Sequence, residues 1–201
     1  LPLCGDCKRE LYNPENRRYR NPFISCVACG PRYSVMEVLP YDRERTSMGA
    51  FSMCPACAGE YRAGGRRDFA QTISCNDCGP YLIYKDKETE CTKEAALQKA
   101  VRVLKSGGVL AIKGIGGYHF ACSPFDGRAV QRLRNLKQRD QKPFAVMFKS
   151  AEELRKYCAV SRAEEELLLS PARPIVLLPF SGEGLAYGVC AESRYLGAFL
   201  P

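Results

Sequence analysis

The chain has 201 residues, 46% of them apolar, with 30 basic and 22 acidic side chains and a formal charge of +8. That length allows one large domain or two small ones. The longest apolar run, Pro174 to Phe180, is strand-sized, which excludes a helical membrane span within these residues.

No basic-then-apolar leader opens the chain, so export is not expected, and Leu1-Pro2-Leu3 lacks an initiating Met, as a piece of something longer would. Of the twelve cysteines, eight fall in four Cys-x-x-Cys pairs: Cys4/Cys7, Cys26/Cys29, Cys54/Cys57 and Cys75/Cys78. A leaderless chain rich in Lys and Glu points to a reducing cytoplasm, where such pairs bind metal and do not form disulfides. Thiol exchange is the alternative chemistry of a single Cys-x-x-Cys, but four pairs of matched spacing fit closed metal sites better.

The pairs belong to a repeat. One copy runs Cys4-Gly-Asp-Cys7, Glu10, Arg17-Arg18, then Ile24-Ser25-Cys26-Val-Ala-Cys29-Gly30-Pro31. The other runs Cys54-Pro-Ala-Cys57, Glu60, Arg66-Arg67, then Ile73-Ser74-Cys75-Asn-Asp-Cys78-Gly79-Pro80. The central spacer is 18 residues in the first copy and 17 in the second, and the shortening falls between Glu60 and Arg66. Two residues between cysteines let both thiolates reach one ion, and a second pair completes a tetrahedron, with sulfur about 2.3 Å from zinc. Four thiolates leave no open position for water, which is structural zinc. Glycine after Cys29 and Cys78 suits a bend with positive φ. Lobes this small cannot bury enough core alone, so metal binding supplies folding energy. Whether ligands pair within or across lobes is open at this level.

Residues 1–84 are therefore read as a tandem Cys4 module. Between its lobes, Tyr33, Val35, Val38 and Leu39 predict one or two strands, and Pro40-Tyr-Asp-Arg43 starts a polar loop. Residues 85–92 are polar and read as a linker.

Residues 93–201 alternate helix and strand patterns. Thr92 caps a helix with the stripe Leu97, Ala100, Val101 and Leu104, which Gly107-Gly108 ends. Val109 to Ile112 reads as a buried strand, and Lys113-Gly-Ile-Gly-Gly-Tyr-His-Phe as a loop. Asp126 caps a helix with Ala129, Val130, Leu133 and Leu136 on one face. Pro143 to Phe148 is a second strand and Pro174 to Pro179 a third. Ser150/Glu153 and Ser161/Glu164 read as capping boxes opening short helices. No closing element is evident before Leu200-Pro201. The fold class is a layered α/β (α+β) domain behind a small zinc-stabilised module.

Charge divides unevenly. Residues 1–84 hold 11 basic and 9 acidic groups, and residues 85–201 hold 19 and 13. Eight thiolates and two Zn²⁺ lower the total to about +4, with the module at about −2 and the second part at +6. The basic part suits an anionic substrate. Its cations stand at strand ends, where α/β folds place ligands: Lys113, then Lys137, Arg139 and Lys142, then Arg173. The competing reading of Lys137, Arg139 and Lys142 is a solvated helix end. Gly114-Ile-Gly-Gly117 is not a Walker loop, since no Gly-Lys-Ser/Thr follows. His119, the sole histidine, reads as structural, and Cys91, Cys122, Cys158 and Cys190 read as packing residues. No catalytic residue is assigned.

The sequence resembles the HypF family, carbamoyltransferases of nickel–iron hydrogenase maturation. The resemblance is carried by Cys4-Gly-Asp-Cys-Lys-Arg-Glu-Leu-Tyr, Arg17-Arg-Tyr-Arg-Asn-Pro-Phe-Ile-Ser-Cys-Val-Ala-Cys-Gly-Pro31, Leu39-Pro-Tyr-Asp-Arg43 and Met53-Cys-Pro-Ala-Cys57. Three later segments are similar to the front part of the family's YrdC-like domain. They are Gly108-Val-Leu-Ala-Ile-Lys-Gly-Ile-Gly-Gly-Tyr-His-Phe-Ala-Cys122, Lys137-Gln-Arg-Asp-Gln-Lys-Pro-Phe-Ala-Val-Met147 and Ser170-Pro-Ala-Arg-Pro-Ile-Val-Leu-Leu178.

The resemblance implies a division of labour. An acylphosphatase-like domain releases carbamate from carbamoyl phosphate. The YrdC-like domain joins it to ATP, taken with Mg²⁺, as carbamoyl adenylate. A later domain carbamoylates the C-terminal cysteine of HypE, the precursor of the iron cyanide ligands. It implies that this portion by itself is inactive; the balanced charge of the lobes argues against nucleic acid as a partner, the lack of a long apolar run against a membrane, and the cysteine usage of a leaderless chain for a cytoplasmic location. One departure is Arg66-Arg67-Asp68-Phe69-Ala70-Gln71, where the family usually has an aromatic and a histidine before Ala-Gln. The rival reading is an RNA-binding protein or a YrdC-type enzyme of threonylcarbamoyladenosine formation on transfer RNA.

Overall fold

The computed structural model describes residues 2–114, 116–139 and 141–201; Leu1, Ile115 of the glycine turn and Asp140 of the Lys137–Met147 segment lie outside the described residues. The chain divides into two compact units, Leu1–Leu97 and Gln98–Pro201. The boundary falls inside a helix and not in the stretch 85–92. No helix of the described residues is long and apolar enough to cross a membrane.

In the first unit, each repeat opens on a short helix whose N-cap is its first cysteine. These are α1 (Gly5–Tyr12) after Cys4 and α2 (Pro55–Glu60) after Cys54. Pro55 at the first helical position has no N–H to orphan, and Cys54 Sγ accepts from the Cys57 amide at 3.5 Å. Each lobe has a minimal core: Cys7, Ile24, Cys26 and Cys29 in one, Cys57, Ala70, Ile73 and Cys75 in the other.

The inter-repeat segment forms no strands. It makes three 3₁₀ turns, Tyr33–Val35, Arg43–Arg45 and Ser47–Ala50, with a single bridge between Met36 and Thr46. Strands need a partner ladder. Here Arg43 does the anchoring instead, donating to the carbonyls of Gln71 (2.6 Å), Ile73 (3.0 Å) and Phe51 (2.8 Å). The expected linker is a hairpin, β1 (Ile83–Lys85) against β2 (Glu90–Thr92). Asp86 turns it by accepting from the Glu88 and Thr89 amides. Thr92, expected as a cap, is the last residue of β2.

Helix α3 (Lys93–Lys105) then begins, and Gly107 at φ +76° ends it, with the Gly108 amide on the Val103 carbonyl. In the second unit, β3 (Leu110–Gly114) pairs with β4 (Gly117–Ala121), closing at Gly114 and Gly117. The expected loop is thus half of an antiparallel hairpin: Tyr118, His119 and Phe120 are good strand formers, and Gly117 takes φ +145° at the turn. Nor is the strand buried. Ile112 is 48% exposed, because the hairpin is a two-stranded sheet by itself.

Helix α4 (Gly127–Lys137) is capped by Asp126, which accepts from the Arg128 and Ala129 amides. Its inner face is Ala129, Val130, Leu133 and Arg134; Leu136, expected inward, is exposed. Then follow β5 (Ala145–Met147), α5 (Ala151–Leu154), α6 (Arg162–Leu169), β6 (Val176–Pro179) and β7 (Tyr195–Phe199). Ser161/Glu164 is a full capping box. At Ser150 the hydroxyl accepts from the Glu153 amide, but the Glu153 carboxylate is spent on Lys156. The missed closing element is β7, the central strand of the sheet β5-β7-β6, parallel to β5 and antiparallel to β6. The core sits on one sheet face, built by Val146, Leu178, Leu196 and Ala198 with Leu154, Leu168 and Val130.

Candidate metal centres and nucleotide face

Two quartets of cysteines are brought together among the described residues, Cys4/Cys7/Cys26/Cys29 and Cys54/Cys57/Cys75/Cys78, with all sulfurs of a quartet within 4.8 Å of one another. Ligation is therefore within each repeat. The first two ligands of each quartet lie at a helix N-terminus; in the second the Cys57 amide donates to Cys54 Sγ, whereas Cys4 caps its helix without a side-chain hydrogen bond. The other two lie on a tight turn, bridged Cys26 to Cys29 in the first lobe. Sγ–Sγ separations are 3.6 and 3.8 Å in the first quartet and 3.5, 3.7 and 3.9 Å in the second. A tetrahedron with zinc–sulfur bonds of about 2.3 Å has edges of about 3.8 Å. A disulfide would need about 2.05 Å. Both quartets thus fit a structural zinc ion.

Electrostatics agree. Burial pushes Cys7 and Cys57 up to about 12 each, against the hydrogen bonds that Arg66 and Arg17 supply. Without a cation these two thiols stay protonated; zinc would hold them as thiolates. Burial also raises Cys26, but the Ala28 and Cys29 amides outweigh it and bring it to about 7. The Cys57 amide, aided by Arg17, lowers Cys54 to about 6.

Gly30 takes φ +141°, as expected after a ligand cysteine, whereas Gly79 has no positive φ. Glycine is required there by space: a Cβ would stand 2.5 Å from Ser74 Cβ.

The two repeats exchange arms. Arg17 and Arg18, from the first, reach Glu60 of the second at 2.9 and 3.0 Å. Arg66 and Arg67, from the second, reach Glu10 of the first, both at 2.5 Å. Arg18 Nε donates to the Ser74 carbonyl (2.8 Å), and Arg67 Nε to the Ser25 carbonyl (3.1 Å). Burial pulls the Glu10 carboxyl up, but Arg67 and Arg66 hold it at about 2. The repeated Glu and Arg-Arg were legible as a pattern. That they act across the repeats was not, because spacing is the same for both arrangements.

Of the five cations expected to share a phosphate site, Lys113 and Lys137 each stand over an aromatic ring of β4. Lys113 Nζ lies 5.0 Å from the Tyr118 ring centroid and Lys137 Nζ 5.4 Å from that of Phe120. Tyr118 and Phe120, two apart on β4, present the same hairpin face. Arg139 and Lys142 lie in the loop between α4 and β5. The Arg139 guanidinium donates to the Lys142 and Pro143 carbonyls and covers the Phe144 ring at 5.3 Å.

Arg173 does not join them. Since β5 runs parallel and β6 antiparallel to β7, the chain enters these strands from opposite ends of the sheet. Arg173 also spends NH1 on the Leu168 carbonyl at the end of α6. His119 is exposed and pairs with Ile112. Cys158 and Cys190 pack in the core as expected, and burial raises Cys158 to about 11.

Comparison with known proteins matches both units. A family model described as "HypF finger" covers residues 3–36 and 53–84, and one described as "Telomere recombination" (Sua5/YciO/YrdC) covers residues 102–201. The chain is 46% identical over 202 residues to carbamoyltransferase HypF of Rhodobacter capsulatus, covering 98% of this chain and 26% of that protein. It is similar to a full-length HypF solved in a phosphate- and nucleotide-bound form, at TM-score 0.88 and 47% identity over 99% of this chain and 26% of the other. It is also similar to HypF of T. kodakarensis, at TM-score 0.92 and 41% identity over 99% and 27%. The chain thus spans about a quarter of the length of the relatives it matches.

Proposed function

The chain belongs to the HypF family, and on that basis we propose that it is the part of a hydrogenase-maturation carbamoyltransferase that couples a zinc module to the front of the adenylating domain. The observation that carries this is the joint match of finger and YrdC-type models on one chain, in the order and over nearly the whole length that the relatives share. The finger match favours it over the RNA-modifying reading.

In the proposed reaction, carbamate released from carbamoyl phosphate attacks the α-phosphate of ATP bound with Mg²⁺. A phosphorus–oxygen bond forms to carbamate, the bond to the leaving pyrophosphate breaks, and carbamoyl adenylate results. The carbamoyl group then passes to the C-terminal cysteine of HypE in the cytoplasm, with AMP leaving. The two zinc ions are structural and take no part in these steps.

Negative charge accumulates on phosphate oxygens as carbamate attacks, and fixed cations stabilise it most in the transition state. Lys113 and Lys137, over two rings of one hairpin face, are the first candidates, with Arg139 and Lys142 next along the chain. Arg173 is a weaker candidate, since it precedes β6 and so stands at the opposite end of the sheet from Arg139 and Lys142, which precede β5. The test is carbamoyl-phosphate-dependent exchange of labelled pyrophosphate into ATP, run on the full-length protein beside phosphate release from carbamoyl phosphate without ATP. Exchange that ignores carbamoyl phosphate would overturn the reading.

A further inference from the structure

Arg17 lies between the cysteine pairs of the first repeat, yet its guanidinium donates to sulfurs of the second: NH2 to Cys57 Sγ at 2.9 Å and NH1 to Cys54 Sγ at 3.6 Å. Arg66, at the same place in the second repeat, donates from NH1 to Cys7 Sγ of the first at 3.1 Å. Cys7 and Cys57 occupy equivalent positions, and both are 0% exposed. Water cannot reach either sulfur, so arginines of the other repeat are the cations that do; Arg18 NH2 at 3.6 Å from Cys57 Sγ and Arg67 NH2 at 3.9 Å from Cys7 Sγ stand farther off than Arg17 and Arg66.

Four thiolates around one Zn²⁺ carry a net charge of −2, and burying such charge is costly unless it is paired and hydrogen-bonded. An arginine N–H on a thiolate is a charge-assisted bond, roughly twice as strong as a neutral one. Groups that orient metal ligands from outside commonly govern affinity by roughly 10–100-fold. Each arginine is itself held by a carboxylate of the repeat it enters, Arg17 by Glu60 and Arg66 by Glu10. That fixes its angle of approach to the sulfur.

We propose that each cysteine quartet is completed by an arginine of the opposite repeat, Arg17 for the second and Arg66 for the first, so that the two metal ions bind as a linked pair. Filling one quartet orders its repeat and, with it, the arm that serves the other quartet. By linkage, each ion then raises the affinity for its neighbour by the same factor. Arg17 and Arg66 are positioning residues here: they touch ligand sulfurs and carry no chemistry of their own.

The inference rests on the zinc reading, so zinc content is measured first; a chain that takes up no zinc overturns both. The zinc-loaded chain is then treated with N-ethylmaleimide in the presence of a chelator, and alkylation of Cys7 and Cys57 is followed separately by peptide mass spectrometry. Arg17→Ala should speed Cys57 labelling over Cys7, and Arg66→Ala should speed Cys7 over Cys57, each by roughly 10-fold. Arg17→Lys and Arg66→Lys, which keep the charge but not the fork, should move the ratio the same way by less. A Cys57-to-Cys7 labelling ratio that is the same in the Arg17→Ala and Arg66→Ala variants overturns crossed completion. For linkage, native mass spectrometry at half-saturation should show fewer singly loaded chains than the binomial share of independent sites. A binomial or larger share overturns it.

Discussion

Arg18, only 2% exposed, donates from Nε to the backbone carbonyl of Ser74 at 2.8 Å, one residue before a cysteine ligand of the other repeat. The same guanidinium meets Glu60 at 3.0 Å. Arg18→Ala would leave the Ser74 carbonyl without its donor beside the second knuckle. We expect a loss of about 1–3 kcal/mol, the cost of an orphaned buried polar group. Chemical denaturation of the zinc-loaded chain measures it; an unchanged midpoint would show the bond to be dispensable.

Metal removal should act on one unit. The first unit's two cores are built around the cysteines, whereas the second has its own core without a metal ligand. Chelation should therefore erase amide-exchange protection in the first unit and leave Val146, Leu178 and Leu196 protected. Elemental analysis should find two zinc ions per chain, and Cys26→Ser should lose at least one of them. One ion in the native chain, or iron in place of zinc, would contradict the assignment.

Gly79→Ala tests the second knuckle by sterics alone. The new methyl would meet Ser74 Cβ at 2.5 Å and the Cys75 carbonyl at 3.1 Å, so backbone must shift. A cost of about 1–3 kcal/mol is expected, as for other forced overpacking. Gly65→Ala has open space around it and serves as the control in the same melts.

Glu164 supplies a pH dependence in the second unit. The Ser161 hydroxyl and amide both bond its carboxylate and lower its pKa below the ordinary 4.5. A folded-state pKa below the unfolded one means stability that is present above about pH 4.5 and fades as pH falls through the lower folded value. The difference in stability between wild type and Glu164→Gln should shrink over that acid range and stay flat above it. A difference that grows toward acid would reverse the assigned sign.

Lys137→Ala should slow pyrophosphate exchange in the full-length protein while phosphate release from carbamoyl phosphate stays normal. Losing one cation at the developing charge costs roughly 2–4 kcal/mol in the barrier, or about 30- to 1000-fold in rate. Normal exchange would remove Lys137 from the site. Arg139→Ala is less diagnostic, because that guanidinium also holds the Pro143 carbonyl of its own loop.

The sequence by itself determined the metal chemistry, since ligand type and spacing are local: Cys-x-x-Cys places two sulfurs on one turn whatever the rest of the fold does. Most helices were legible for the same reason, Asp126 and Ser161 being caps that act within three residues. Tertiary structure decided whatever depends on a distant partner. The strand β7 lay hidden because Gly197 and Ala198 interrupt its strand pattern, and it becomes a strand only between β5 and β6. The sheet's mixed direction, invisible in any periodicity, is what separates Arg173 from Arg139 and Lys142. And the spacing that revealed Arg17 and Arg66 is identical whether each arginine serves its own quartet or the other. Only packing, which brings Cys57 to Arg17 and Cys7 to Arg66, breaks that degeneracy.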